Sequence, residues 1–289
     1  MPAGSGIEIL IENLHKSFDD NKVLRGVNLR IHTAELVAIV GGSGCGKSVL
    51  LNTILGQYAL DKGRILVLDR SGGNGNLRDL SEYSNFELDN IHRHWGVVFQ
   101  RNALFSGTVY DNIALWLREV KGLDESGILP IAKRALLAVR LPADADFLDN
   151  DQSELSGGMA KRLAIARALA MDPHIIFYDE PTTGLDPKSS EQIHNLIFNT
   201  HHTPHADGSR ITSFIITHDK DLLNRLRPRT VMLHEGKVHF DGPFDEFEVS
   251  ESEVIRPYFD IMPVLHHRQL DEAPQPPGGS RKGLVMSRE

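Results

Sequence analysis

Eight consecutive residues, Gly41-Gly42-Ser43-Gly44-Cys45-Gly46-Lys47-Ser48, carry the spacing GxxxxGK[ST]. In that spacing the glycines let successive backbone N–H groups turn inward onto phosphate oxygens, Lys47 meets the β- and γ-phosphates, and Ser48 ligates Mg²⁺. A helix beginning there adds partial positive charge. Farther along, Ile175-Ile176-Phe177-Tyr178 runs directly into Asp179-Glu180. A buried strand emerging at a nucleotide site ends this way, with Asp179 holding Mg²⁺ through water and Glu180 polarising the attacking water. A third segment, Leu155-Ser156-Gly157-Gly158-Met159, opens an Ala-rich stretch that stops before Pro173. Ser156 suits an N-cap, and the glycines permit close backbone approach of an anion; an ordinary capped helix with flexible glycines has the same sequence.

These residues need elements to position them. Residues 36–40 form a short apolar run ending in glycines, and residues 47–55 place Leu50, Leu51, Ile54 and Leu55 on one helical face before Gly56, so the loop lies between strand and helix. Upstream, the alternation of Ile7, Ile9 and Ile11, then Val23, Val27 and Leu29, predicts a hairpin turning at Asp19-Asp20-Asn21. Residues 69–90, rich in Gly, Ser and Asn at their start, read as a surface excursion with little core before a strand at Trp95-Gly96-Val97-Val98-Phe99. Val109, Ile113 and Leu117 are helically spaced, as are Ile128, Ala132, Ala135 and Val139, with Pro130 expected in a first turn. Strands follow at 175–178, 211–217 and 231–234. From about Phe247 periodicity fades, and residues 272–281, with Pro-Gln-Pro-Pro-Gly-Gly, read as a tail.

The 289 residues suffice for about two domains. Hydrophobic and charged fractions of 40% and 24% fit a globular chain and exclude collagen-like or disordered classes. The net charge of −8, from 31 basic and 39 acidic side chains, lacks the basic excess of a nucleic-acid binder, so no nucleic-acid partner is expected. No run approaches the roughly 18 apolar residues of a membrane span, no signal peptide is visible, and the lone Cys45 forms no intrachain disulfide. Bland readings hold for His201, His202 and His205, expected in a polar turn rather than on a metal, and for Trp95 and Trp116, expected to pack.

The set of phosphate loop, Leu155-Ser156-Gly157-Gly158, Asp179-Glu180-Pro181 and Gly184-Leu185-Asp186-Pro187 resembles the ATPase subunit of ABC transporters across residues 7–242. The resemblance implies an α/β P-loop NTPase fold: a RecA-like core with an antiparallel β subdomain (residues 1–100 and 161–245), a helical signature subdomain (101–160) and a partly disordered C-terminal extension (246–289). It implies ATP and Mg²⁺ as cofactors, with Phe18 stacking on adenine, Gly41 through Ser48 and Val49 on the nucleotide, and Ser48, Gln100 and Asp179 at the metal. Glu180, Gln100 and His218 become the catalytic residues. Asp186 lies on the loop crossing to a second subunit, whose Ser156, Gly157, Gly158 and Met159 complete the site in a head-to-tail homodimer. His218 directly follows the apolar strand ending Ile216-Thr217, and Gln100 follows Val97-Val98-Phe99; Phe18 could instead pack in the hairpin.

A narrower similarity is to the ATPase of Mla/Mce-type lipid transporters, on Met159, Gly56-Gln57, Phe99-Gln100 with Ala103-Leu104-Phe105, Asp111-Asn112 and Leu117-Arg118-Glu119. It implies phospholipid transport, an integral membrane permease, an Mce-domain lipid-binding protein as further partner, and a peripheral location on the cytoplasmic face of the inner membrane. The ATPase of a small-solute importer and a non-transport ABC ATPase are the alternatives.

Overall fold

The computed structural model describes residues 6–70 and 75–263. The hairpin pairs β1 (Ile7–Phe18) with β2 (Asn21–His32), its turn opening on Asp19 at φ 51°. After it come β3 (Leu36–Val40), α1 (Lys47–Ile54), β4 (Lys62–Asp69), β5 (Asn76–Asp79), α2 (Asn85–His92) and β6 (Trp95–Val98). A helical stretch holds α3 (Val109–Glu119), α4 (Glu125–Ala138), α5 (Ala145–Asp149) and α6 (Gly157–Ala170). The chain closes with β7 (Ile175–Asp179), α7 (Pro187–His202), β8 (Thr212–Ile216), α8 (Lys220–Leu226), β9 (Arg229–His234), β10 (Lys237–Pro243), α9 (Phe244–Glu248) and α10 (Ile255–Ile261).

Two sheets result. One is antiparallel, in the order β2-β1-β4-β5; the other runs β10-β9-β3-β8-β7-β6 and is parallel from β9 to β6. β3, β7 and β8 are buried along nearly their whole length, β3 and β7 as almost unbroken apolar runs, because a parallel sheet is covered on both faces. Alternate residues divide between those faces. Val37, Ile39, Phe177 and Phe214 pack toward the antiparallel sheet and α1, whereas Ile176, Tyr178 and Ile215 pack toward α3, α4, α6 and α7. Ala38, Val40 and Met232 instead meet the C-terminal helices.

Three expectations need correction. Residues 69–90 are not a plain excursion: β5 extends the antiparallel sheet beside β4, and Ser84 and Glu87 form a reciprocal capping box that starts α2. Tyr83 of this stretch is buried, with the Arg78 guanidinium 4.1 Å from its ring centre. Helix α4 begins at Glu125 because the Asp124 side chain accepts from the Gly127 N–H, which leaves Pro130 inside the helix instead of in its first turn. Periodicity does not end at Phe247. Phe244, Phe247, Ile255, Phe259 and Met262 form one buried cluster against the sheet. The fading signal reflects two helices of five and seven residues, too short to display a face. The expected tail at 272–281 lies outside the described residues. β4 and β10 complete the sheets without having been singled out in the sequence.

Candidate functional site: the carboxyl edge of the parallel sheet

Parallel strands deliver their carboxyl ends to one edge, and the sheet order brings the loops after β3, β8, β7 and β6 side by side. These loops carry Gly41 to Lys47, His218, Glu180 and Gln100 respectively, with Asp179 the last residue of β7. The phosphate loop requires its glycines. Gly41 sits at φ 144°, where a Cβ would lie 2.3 Å from the Leu233 carbonyl oxygen, and Gly46 at φ 109°, where one would lie 2.7 Å from Leu24. Gly42, Ser43, Gly44 and Ser48 are exposed on this edge, Gly44 at φ 76°. Lys47 Nζ donates to the carbonyls of Gly41 at 2.7 Å and Gly42 at 3.1 Å, folding the cation over the loop. Cys45 and Val49 turn their side chains onto the apolar cluster beneath, so Cys45 offers this edge its backbone.

Glu180 occupies the left-handed region at φ 47°, a strained position for a residue with a side chain, held by its N–H donating to the Ile216 carbonyl. Its carboxylate meets His218 Nδ1 at 2.7 Å, and this hydrogen bond raises the imidazole's pKa above the ordinary value despite partial burial. Burial and the adjacent Glu180 raise the Asp179 carboxyl, against the opposing pull of Lys161 and Lys47. A divalent cation would offset that destabilisation, and Ser48 and Asp179 supply the hard oxygens such an ion takes.

Gln100 is exposed. Phe18 is not a core aromatic: its ring is 40% exposed at the end of β1, edge-on to Tyr58 with centroids 5.2 Å apart. Ser156 caps α6, its hydroxyl accepting from the Met159 N–H at 3.3 Å. Gly158 admits α7 closely, since a Cβ there would lie 2.6 Å from Ser189 Oγ. Asp186 caps α7 by accepting from the Ser189 N–H.

A nucleotide loop, a Gly-bearing capped signature helix and an Asp-Glu strand end therefore sit in one chain, and a family model described as ABC transporter matches residues 24–183. The chain belongs to the ABC transporter family. It is an ATP-binding ATPase subunit of that family. It is 34% identical over 265 residues to Protein TRIGALACTOSYLDIACYLGLYCEROL 3, chloroplastic, of Arabidopsis thaliana, covering 87% of this chain and 73% of that one. It is 34% identical over 244 residues to the Intermembrane phospholipid transport system ATP-binding protein MlaF of Haemophilus influenzae, covering 84% and 86%. The Sulfate/thiosulfate import ATP-binding protein CysA of Methylococcus capsulatus is 35% identical, over 83% of this chain and 64% of that one. Among solved structures, the dimeric post-hydrolysis state of the ATP-binding cassette MJ0796 bound to ADP and Pi superposes with a TM-score of 0.68 at 29% identity, covering 81% and 98%. The cbiO1 structure from Clostridium perfringens gives 0.71 at 30%, covering 88% and 94%. Among the described residues no helix is long and apolar enough to cross a membrane.

Three features of this ATPase escaped the sequence reading. Lys161 is 1% exposed, and its Nζ donates to the carbonyls of Phe99 and Gln100 at 2.9 Å each, tying α6 to the loop after β6. Burial lowers its pKa to about 8. Its neighbour Arg162 carries the same charge, so the sequence did not mark Lys161 as the one that is buried. Buried Asp219, next to His218, accepts from Thr182 Oγ1 at 2.7 Å and faces His194 Nε2 at the same distance. Burial alone would raise this carboxyl; the bonds to His194 and Thr182 outweigh it and hold the pKa below the ordinary value. Its signal was an Asp N-cap before Leu222 and Leu223. Tyr258 of α10 accepts from the Gly41 N–H at 3.0 Å, a contact no motif announces. The polar turn expected for His201, His202 and His205 holds only His205, which pairs with Asp172; His201 and His202 belong to the last turn of α7, where His201 is buried against Ser213 Oγ because that helix packs on the sheet.

Proposed function

We propose that two copies of this chain close head to tail on two ATP molecules and transmit that closure to a membrane permease that moves phospholipid. The observation that carries the hydrolytic part is the convergence of Lys47, Gln100, Asp179, Glu180 and His218 on one sheet edge, with Ser156 to Met159 on a separate helix. One edge supplies donors to one side of a γ-phosphate, and its charge needs donors on the other side as well. Ser156, Gly157 and Gly158 of the second copy fill that side, and Asp186 lies where the copies cross. Ser48, Asp179 and Gln100 would hold Mg²⁺, which when bound neutralises phosphate oxygens. Glu180 polarises the attacking water, His218 holds Glu180 and faces the γ-phosphate, and Phe18 stacks on adenine through its exposed ring. The working units are residues 1–100 with 161–245, the helical 101–160, and the extension from 246.

The permease reading rests on a groove of about 300 Å³ beside Gln100, walled by Phe99, Phe105, Trp116, Trp95, His92 and Met171. Phe105 is half exposed, so a helix inserted there gains apolar contact with this groove. The location is the membrane face where that permease sits. Phospholipid is favoured by the similarity to MlaF over most of both chains, with an Mce-domain protein as further partner; the similarity to CysA supports a small-solute importer as the second reading.

Affinity purification from native membranes in mild detergent, with mass spectrometry of proteins and lipids, tests this. A multi-spanning permease with co-purifying phospholipid is expected. A permease accompanied by a sulfate or sugar receptor sinks the lipid reading, and recovery without any permease sinks transport.

A further inference from the structure

At the amino ends of β6 and β7, away from the nucleotide edge, lies a cavity of about 470 Å³. Its wall includes Arg70 after β4, Arg78 in β5, Glu87 of α2, Arg93 and His94 in the turn between α2 and β6, and His174 before β7. The two turns are tied by the His174 N–H donating to the His94 carbonyl at 2.9 Å, and their imidazoles stack with centroids 5.1 Å apart. The cavity shares only Trp95 with the groove beside Phe99, and no residue with the nucleotide edge.

The cations here are not equally satisfied. Arg70 is held by Glu8 through two bonds of 2.7 Å, and Arg78 donates to Glu87 at 2.8 Å. Arg93 forms no ion pair among the described residues, and its buried Nε has no acceptor. Burial lowers the pKa of both imidazoles, and positive neighbours add to it, Lys121 and Arg70 at His94 and Arg70 at His174, which falls to about 4. Both rings are thus neutral N–H donors, the Asp172 carboxylate opposing the nearby cations at each, beside a guanidinium with no carboxylate partner among the described residues. Leu68, Ile91 and Trp95 add apolar surface to the same cavity. A metal is the wrong occupant: among the described residues no three His, Cys, Asp or Glu groups are arranged to hold one. An inorganic ion alone would leave most of the volume and the apolar surface unused, whereas the volume lies in the range of small-molecule sites.

We propose that this cavity is a second oxyanion site, which takes a phosphate monoester with an apolar body. The phosphoryl group lies on Arg93 beside the His94 and His174 rings, and the body lies against Leu68, Ile91 and Trp95. The phosphate can belong to a soluble ester or to a lipid headgroup.

The test is a titration of phenyl phosphate into the full chain with the phosphate loop filled by ADP, followed by the NMR signals of the His94 and His174 imidazoles and by calorimetry. Both imidazoles should shift along one saturable curve with a Kd of about 1 mM or tighter, and Arg93→Met should weaken binding at least ~10-fold while Arg93→Lys retains more of it. Vesicles of phosphatidylcholine with and without phosphatidic acid separate the sources. Arg93-dependent retention on the acidic vesicles assigns the phosphate to a lipid headgroup; phenyl phosphate binding without such retention assigns it to a soluble ester. Because Arg93 makes no hydrogen bond through Nε, Arg93→Met should melt like the wild type; if it does not fold, the wild-type imidazole titration decides. Imidazoles that stay unmoved at about ten times that concentration, or Arg93→Met binding as tightly as wild type, overturn the proposal.

Discussion

The two ends of the same parallel strands are built by different means. At the carboxyl ends the geometry is made by backbone: Gly41 and Gly46 at positive φ with no room for a Cβ, and Glu180 forced into the left-handed region. At the amino ends the cavity is made by side chains, Arg93, His94 and His174, brought from turns 80 residues apart at the histidines. A site made of backbone constrains residue type at consecutive positions and so writes a motif. A site made of side chains assembles from scattered positions, each ordinary on its own.

The largest way to break the carboxyl edge is therefore a single methyl group. Gly41→Ala places a Cβ on the Leu233 carbonyl at a φ that side chains avoid, and should cost roughly 1–3 kcal/mol in backbone strain alone and abolish ATP binding. Thermal melting and fluorescent-nucleotide titration measure the two losses. Lys161→Met removes both bonds to the Phe99 and Gln100 carbonyls while keeping the stem. The orphaned carbonyls should cost about 1–3 kcal/mol, and kcat should fall more than the KM for ATP, because the loop after β6 moves while the phosphate loop does not. Equal losses in kcat and in stability-corrected ATP binding would contradict this coupling. Tyr258→Phe removes one hydrogen bond at Gly41, so a loss of about 0.5–1.5 kcal/mol is expected in chemical denaturation, with a modest rise in KM for ATP.

The smallest effect is a titration. Its folded pKa being raised by Glu180, His218 contributes stability that is complete below the unfolded value near ~6.5 and is lost as pH rises through the folded value. The His218 NMR midpoint should sit above ~6.5 in the wild type and fall toward it in Glu180→Gln.

The legibility of the molecule follows the same division. The phosphate loop, the Asp179-Glu180 strand end and the Ser156 cap could be read directly because turn geometry, metal-ligand chemistry and helix capping each dictate residue types at fixed spacing. The strand order, which sets Gln100 and His218 on that same edge, was not legible in periodicity, and the roles of these two residues came from resemblance. β5 and α2 were missed because a Gly-Ser-Asn start masks a four-residue strand, and α9 and α10 because their apolar residues matter only against Met232 and against Ala38 and Val40, the last two some two hundred residues earlier. Lys161 and Asp219 were visible as residues but not as partners, since the carbonyls and the His194 they meet are set by tertiary packing.

Sedimentation velocity of Glu180→Gln with and without Mg²⁺-ATP tests the central claim, a hydrolytic site completed by a second copy, most directly. Without its polarising carboxylate the chain should bind ATP, lose hydrolysis by about 10²-fold or more, and so accumulate as an ATP-bound dimer that reverts to monomer when nucleotide is removed. A Glu180→Gln chain that hydrolyses ATP at the wild-type rate, or that stays monomeric with ATP bound at saturation, would contradict it.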